Sequence, residues 1–345
     1  MVLSNGSNAS KQTRRLAAVA GLMVLAVTLS ACGGGGDADS SPSPASPSSS
    51  ASPSETPSPT PTVEPIVLAD LAGIEVSSDL AAQPTVTAPY PFVVEQTMSQ
   101  VIVPGSGVKV PHETAMVRVQ YVGINASTGE IFDASWSRGE SAVLPLAQMI
   151  PGFRDGLVNQ AVGSRVAVAI PSEDGYGTQG NSQAGIGPGD SLLFIVDVID
   201  TELAGPQGEA VTSPAGLPEV TDEGGVPKIT IPAGLAEPSA VQVQPLIQGS
   251  GRELGPTDGL ISHSVCVTWD GAEFYNDYGS TAAADAAAGA VHQALFNSLI
   301  GQQTGSRVLV TLPGSVAYPN GNPTPSIAPN TPVACVVDLL FTEAY

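Results

Sequence analysis

Positive charge is what this chain has least of: 11 Lys and Arg stand against 32 Asp and Glu, for a formal net charge of -21. Such a balance repels phosphate backbones and anionic lipid and argues against nucleic-acid partners. Histidine is as scarce. His112, His263 and His292 fall at no spacing that resembles a zinc set, so no metal site and no cofactor are expected. No run is long enough to span a bilayer comfortably: the almost wholly apolar stretch from Leu16 to Leu29 holds about 14 residues, where a transmembrane helix needs roughly 20. Cysteine occurs three times, at Cys32, Cys266 and Cys335.

The apolar run follows Lys11, Arg14 and Arg15 and ends in Leu29-Ser30-Ala31-Cys32. Cations before a short apolar core describe a secretory leader, and the ending is similar to the lipobox of bacterial lipoproteins. That resemblance implies removal of residues 1–31, diacylation of the Cys32 thiol, and a protein tethered to the outer side of the cell membrane. The alternative is a signal peptide cleaved by the general peptidase, with Cys32 incidental. Removing the leader takes three cations and no acid, leaving 8 against 32, or -24. Residues 32–65 are Gly, Ser, Pro and Thr with scattered acids. They lack side chains for a core and read as a disordered tether that holds the folded part off the membrane.

Beyond the tether the chain repeats itself with a period near 142. Gln100-Val-Ile-Val-Pro-Gly-Ser-Gly107 answers Gln244-Pro-Leu-Ile-Gln-Gly-Ser-Gly251, and Gly163-Ser164-Arg165 answers Gly305-Ser306-Arg307. Val117-Arg-Val-Gln-Tyr-Val-Gly123 matches Val265-Cys-Val-Thr-Trp-Asp-Gly271, and Ile195-Val-Asp-Val matches Val336-Val-Asp-Leu. Two copies of one domain are expected, 66–203 and 223–345, joined by a Gly, Pro and Thr-rich linker over 204–222. Each copy opens with a run, Pro84-Thr-Val-Thr-Ala-Pro89 or Pro227-Lys-Ile-Thr-Ile-Pro232, that would add an edge strand.

Within the first copy, residues 117–121, 165–170 and 192–198 read as strands, and a short helix follows Pro151. The fold class is α+β, an antiparallel sheet wrapped around one short helix, in two tandem copies. Aromatic and apolar side chains fall at the ends of these elements, where they face a shared hollow beside a single acid, Asp133. A ring-lined pocket with few polar groups suits an apolar, uncharged ligand.

The order of short motifs over residues 99–200 resembles the FKBP-type peptidyl-prolyl isomerase family. The motifs are Tyr121-Val122-Gly123, Gly129-Glu-Ile-Phe132-Asp133-Ala-Ser135, Ile150-Pro151-Gly152-Phe153, Gly156-Leu157, Val162-Gly163-Ser164-Arg165, Ile170-Pro171, Gly175-Tyr176-Gly177, Ile186-Gly187-Pro188 and Leu193-Phe194. The resemblance implies that Phe153, where the family more often has Trp, forms the floor under a proline ring, with Tyr121, Phe132 and Phe194 as walls. Asp133 would sit near the substrate carbonyl, oriented by the Tyr121 hydroxyl, and Tyr176 would donate to a substrate carbonyl. Met149 and the Ile150 amide would pair with bound peptide, with Leu144 and Ile186 on the rim. Two departures lie on that rim. Ala142-Val143-Leu144 lacks a leading Phe, and Ile186-Gly187-Pro188 replaces Ile-Pro-Pro, so substrate choice is expected to shift before turnover is lost. The competing readings are a plain core aromatic packed on Leu157 for Phe153 and a surface turn acid for Asp133.

Carried across the repeat, Tyr121 becomes Trp269, Phe132 becomes Tyr275, Asp133 becomes Asn276, Phe153 becomes Leu295 and Phe194 becomes Cys335. The second copy therefore reads as a fold kept for packing or binding, without catalysis. A Cys266–Cys335 disulfide is permitted in an exported protein, yet this alignment turns Cys335 inward and Cys266 outward, so a bond requires a bulge or a different register. The functional expectation is prolyl isomerisation by the first copy on proline-containing segments of exported clients. The alternatives are a non-catalytic chaperone or peptide-binding lipoprotein on the same fold, and a structural lipoprotein that uses the fold as a spacer.

Overall fold

The computed structural model describes residues 63–278, 284–285 and 290–343. The expected leader, Cys32, most of the tether and the side chain of His292 lie outside the described residues. No described helix is long and apolar enough to cross a membrane.

The first sheet is built from β1 (Met98–Val103), β2 (Met116–Asn125), β3 (Ile131–Ala134), β4 (Ala142–Pro145), β5 (Arg165–Ile170) and β6 (Leu192–Thr201). Its order is β1-β5-β6-β2-β3, with β4 also paired to β2, and every ladder is antiparallel. Helix α1 (Pro151–Leu157) lies across the inner face. Pro151 opens the helix, where its missing N–H costs nothing. Gly156 lets the helix approach, since a Cβ there would lie 2.3 Å from Cγ1 of Val168.

Alternation along the strands sorts two cores. Val166, Val168 and Ile170 of β5 and Leu192, Phe194, Val196 and Val198 of β6 face α1. Ala167, Ala169, Leu193 and Ile195 point the other way and are also buried. A sheet apolar on both faces needs cover on both. Residues 63–97 supply the second cover: Leu71, Ile74, Phe92 and Val94 pack on that outer face.

This placement corrects the expected edge strand. Val86–Thr87 pairs with Glu75–Val76 in a separate two-stranded piece, and Pro227 to Thr230 belongs to a separate hairpin. Neither run lengthens its main sheet, because the apolar outer face is the larger surface to bury.

The second sheet follows the same plan. Its strands are β7 (Glu209–Ala210), β10 (Gln242–Gln248), β11 (Gly259–Thr268), β12 (Glu273–Asn276), β13 (Arg307–Leu312) and β14 (Val333–Glu343), and α2 (Ala290–Leu299) replaces α1. The order β7-β10-β13-β14-β11-β12 repeats the first sheet with β7 added at one edge. The hairpin of β8 (Glu219–Glu223) and β9 (Val226–Thr230) brings Ile229 and Val220 onto the outer face.

Each cover is tied down by a buried arginine. Arg165, fully buried, donates to both carboxylate oxygens of Asp197 (2.6 and 2.7 Å), to Ser77 O (2.6 Å) and to Ala82 O (3.1 Å). Arg307 repeats this with Asp338 (2.7 and 2.8 Å), Asp222 (2.7 Å) and Gly225 O (2.9 Å). A guanidinium this buried is tolerable only when its donors are used.

The two sheets are joined without slack. Leu203 N donates to Leu340 O (3.0 Å), Gln207 N to Gly305 O (2.8 Å) and Val211 N to Leu246 O (2.8 Å), so much of the stretch 204–222 runs against the second sheet. Arg118 of β2 donates to Thr342 O (3.2 Å) and lies over the Phe341 ring.

The ladders also correct the repeat. Phe194 pairs with Gly123 across β6 and β2, and Cys335 pairs with Cys266 across β14 and β11. Leu260 to Cys266 thus takes the place of Val117 to Gly123, five residues before the stretch matched by motif. An odd slip turns every side chain over, which is why Cys266 was expected to face outward. It faces inward, 4.1 Å from Cys335 between Cα atoms, and the two are bonded.

Candidate active site

Four rings meet on the inner face of the first sheet, each placed by its own strand or by α1. Phe153 lies on the first turn of α1, Tyr121 on β2, Phe194 on β6 and Phe132 on β3. Phe153 and Phe194 meet edge to face at 5.1 Å, Phe132 and Phe194 at 5.6 Å, and Tyr121 approaches Phe153 at 6.4 Å and Phe194 at 6.3 Å. Edge-to-face packing suits the ring quadrupoles. Phe153, Phe194 and Tyr121 are 3, 6 and 8 % exposed, while Phe132, Leu144, Met149, Ile150 and Tyr176 are half-buried around them. Ile186 is buried in the same cluster. Every aromatic and apolar residue expected at the site is thus in one place.

The rings can cross β2 only because Gly123 has no side chain. A Cβ there would lie 2.7 Å from Cζ of Phe132 and 2.9 Å from Cε1 of Phe194. The glycine is a requirement of the basin, a role sequence reading missed.

Polar groups gather at one side. The Tyr121 hydroxyl donates to Oδ2 of Asp133 in a short hydrogen bond, as the expected pairing required. Arg138, which sequence reading missed, donates to Oδ1 of Asp133 (2.7 Å) and to the Tyr121 hydroxyl (2.9 Å), and its guanidinium lies 5.6 Å from the Tyr121 ring centre. The only hint was a cation five residues after Asp133, and the 3-10 turn Ser135–Arg138 folds it back. Burial opposes ionisation of Asp133. The hydrogen bonds from Tyr121 and Arg138 and the charge of Arg138 outweigh it and hold the carboxyl below the usual aspartate range. Burial and the adjacent carboxylate push the Tyr121 hydroxyl up, so it stays a donor. A carboxylate beside Phe132 is therefore satisfied from two directions.

Beneath this group the Ser135 hydroxyl accepts from Tyr121 N (2.8 Å) and fixes the turn that carries Asp133. Tyr176 follows a short 3-10 turn, Ser172–Asp174, and no described residue hydrogen-bonds its hydroxyl. Asp174 is occupied elsewhere, accepting from the Thr97 hydroxyl (2.7 Å).

In the second copy, correct registration changes the exchange of residues. Ser264, not Trp269, stands for Tyr121, since its N donates to Asp277 (2.6 Å) as Tyr121 N donates to Ser135. Phe274 stands for Phe132 and Tyr275, not Asn276, for Asp133. The Tyr275 hydroxyl donates to Asp277 (3.1 Å), and burial with the nearby carboxylate pushes it up to about 12. Leu295 stands for Phe153 as expected. The disulfide occupies the two positions where Gly123 leaves room and Phe194 fills it, so this core has sulfur where the first has a ring.

An antiparallel sheet around a short helix, with packed rings beside a carboxylate held below its usual range, suits an apolar, uncharged ligand. Residues 107–199 match the family model described as FKBP-type peptidyl-prolyl cis-trans isomerase. A probable FK506-binding protein of Corynebacterium glutamicum is 41% identical over 83 residues, 24% of this chain and 69% of that protein. An FK506-binding protein of Streptomyces anulatus is 41% identical over 85 residues, 24% of this chain and 68% of that protein. A peptidyl-prolyl cis-trans isomerase of Pseudomonas syringae, solved by crystallography, is 30% identical over 30% of this chain and 74% of its own, with a TM-score of 0.28. The chain belongs to the FKBP-type peptidyl-prolyl cis-trans isomerases.

Proposed function

We propose that the first copy, residues 66–203, isomerises X-Pro bonds in exported proteins, and that the second, 223–345, is a non-catalytic relative kept for packing or binding. The convergence of Phe153, Phe194, Tyr121 and Phe132 beside Asp133 carries this reading. Rotation about an X-Pro bond faces a barrier of about 18–20 kcal/mol because amide resonance is lost when the bond twists. No proton, nucleophile or metal is required; a surface that removes water and favours the twisted form is enough.

Phe153 is the floor for the proline ring, and Tyr121, Phe132 and Phe194 are the walls. Asp133, fixed by Tyr121 and Arg138, presents a preorganised charge near the substrate carbonyl. Tyr176 donates its hydroxyl to a substrate carbonyl. Met149 and the Ile150 backbone pair with the peptide, Leu144 forms the rim, and Ile186, expected on the rim, is buried in the cluster and backs the site from within. The buried Cys266–Cys335 disulfide supports an oxidising compartment. With the Leu29-Ser30-Ala31-Cys32 pattern it supports a lipid anchor on Cys32, which holds the enzyme on the outer side of the cell membrane among its folding clients.

The test is a proline-peptide isomerisation assay on the purified chain. Burying a phenylalanine contributes about 1.5–3 kcal/mol. If most of that is realised in the twisted state, Phe153→Ala loses about ten- to a hundredfold in kcat/KM. Asp133→Ala is expected to lose activity as well, with circular dichroism unchanged in both. Equal rates in wild type and both variants would overturn the assignment.

A further inference from the structure

The stretch from Gly175 to Asp190 carries Tyr176 and Ile186. Ile186 is buried, but much of the rest is turns and partly exposed chain, and one anchor outside the stretch sits at the end of β2. Asn125, 2 % exposed and on the same strand as Tyr121 and Gly123, donates to Gly185 O (3.1 Å) and to Oδ2 of Asp190 (2.8 Å). Its own oxygen accepts from Ser127 N (2.8 Å). Asp190 accepts two further hydrogen bonds, from the Ser127 hydroxyl (2.6 Å) and Gly187 N (2.7 Å). Burial disfavours its charge, but the hydrogen bonds from Ser127, Asn125 and Gly187 outweigh that and hold the carboxyl below the usual range.

These contacts reach both site residues. Ile186 lies between Gly185 and Gly187, each held by the cluster, and exchanges hydrogen bonds with Asn181 (2.8 and 2.9 Å). Gly189 N donates to Gly177 O (3.1 Å), and Gly180 N to Tyr176 O (3.1 Å), so the Tyr176 backbone is tied to the same turn. Among the described residues the second copy has no such arrangement. Thr268 takes the Asn125 position on β11, and its hydroxyl turns to Asp270 and Ala272 O in its own turn.

We propose that Asn125 and Asp190, assisted by Ser127, are positioning residues that hold Tyr176 and Ile186 at the aromatic site and thereby set peptide affinity. The proposal rests on the active-site assignment above. An interaction made equally with planar and twisted peptide changes KM and leaves kcat in place.

The experiment measures KM, kcat and thermal unfolding of the full chain on a proline tetrapeptide. Asp190→Ala is expected to raise KM about tenfold with kcat within about twofold of wild type, and Ser127→Ala to raise KM about threefold. Asn125→Asp sets two carboxylates face to face and is expected to match or exceed Asp190→Ala. The exchange N125D/D190N restores the direct contact between the two positions in reversed order, without the bonds to Gly185 O and from Gly187 N, and is expected to recover part of the affinity that Asn125→Asp loses. If Asp190→Ala does not fold, Ser127→Ala and the exchange carry the test. A folded set whose KM stays at the wild-type value overturns the proposal. So does an exchange no better than Asn125→Asp. A wild-type chain without turnover sinks the active-site assignment, and the clasp with it; normal wild-type turnover with unchanged KM in the variants sinks the clasp alone.

Discussion

Adding one methyl group at Gly123 tests the basin from below. A Cβ at that position lies 2.7 Å from Phe132 Cζ and 2.9 Å from Phe194 Cε1, where carbon atoms prefer about 3.5–4.0 Å. The rings have to retreat by roughly 0.8 Å to regain that spacing. Phe132 and Phe194 already meet edge to face at 5.6 Å and Phe194 lies against Phe153 at 5.1 Å, so a shift of either ring is passed on to the rest of the basin. Overpacking of this kind costs about 1–3 kcal/mol, so Gly123→Ala is expected to lower Tm by about 3–9 °C. The larger effect is on turnover, since displacing a binding surface by about 1 Å costs up to a hundredfold. A loss of ten- to a hundredfold in kcat/KM on a proline peptide is expected. Gly73→Ala is the control, because a Cβ there meets nothing within 4 Å. Gly123→Ala with the Tm and kcat/KM of Gly73→Ala would refute the reasoning.

Other outcomes follow from the same contacts. Cys266 and Cys335 are 69 residues apart in sequence, and closing a loop of that length contributes about 4 kcal/mol in the chain-entropy picture. C266S/C335S is expected to lose about 2–4 kcal/mol in urea unfolding with peptide turnover unchanged, and an unshifted midpoint would count against the brace. Arg165→Ala leaves Asp197 buried without its cation and is expected to cost about 3–5 kcal/mol, whereas R165M/D197L regains most of it in a double-mutant cycle. Asp133 is held ionised below the ordinary aspartate range, so its contribution persists above that range and is lost as pH falls through the lowered value. Turnover of folded protein should stay level through the ordinary range and decline only below it; a decline centred above the range would contradict the pairing with Tyr121 and Arg138.

Much of the sheet was legible because alternation survives in the strands, as in Val166, Ala167, Val168, Ala169 and Ile170, where large residues face α1 and small ones the outer cover. The motifs around Phe153 and Asp133 brought the aromatic residues together for the same reason: they end elements whose spacing is fixed. What was illegible is register and reach. Val265-Cys-Val-Thr-Trp resembles Val117-Arg-Val-Gln-Tyr as a pattern of branched and polar residues, and only the ladder shows that it is displaced by five. Arg138, Asn125 and Asp190 act through side chains that cross turns, so linear spacing carries no sign of their partners. The outer cover was equally hidden, because its paired pieces, Ile66–Val67 with Phe92–Val93 and Glu75–Val76 with Val86–Thr87, are too short to show a period, and its buried anchors Leu71, Ile74, Phe92 and Val94 are scattered between them.

The seam at Leu203 and Arg118 bears on how the enzyme would be dissected. A cut after Leu203 strips Thr342 and Phe341 from Arg118 and leaves the Leu203 N–H without its Leu340 partner. An excised first half would thus begin from a frayed margin close to the strand that bears Tyr121, and slower turnover in such a fragment would report mechanical loosening as much as any chemical contribution from the discarded half.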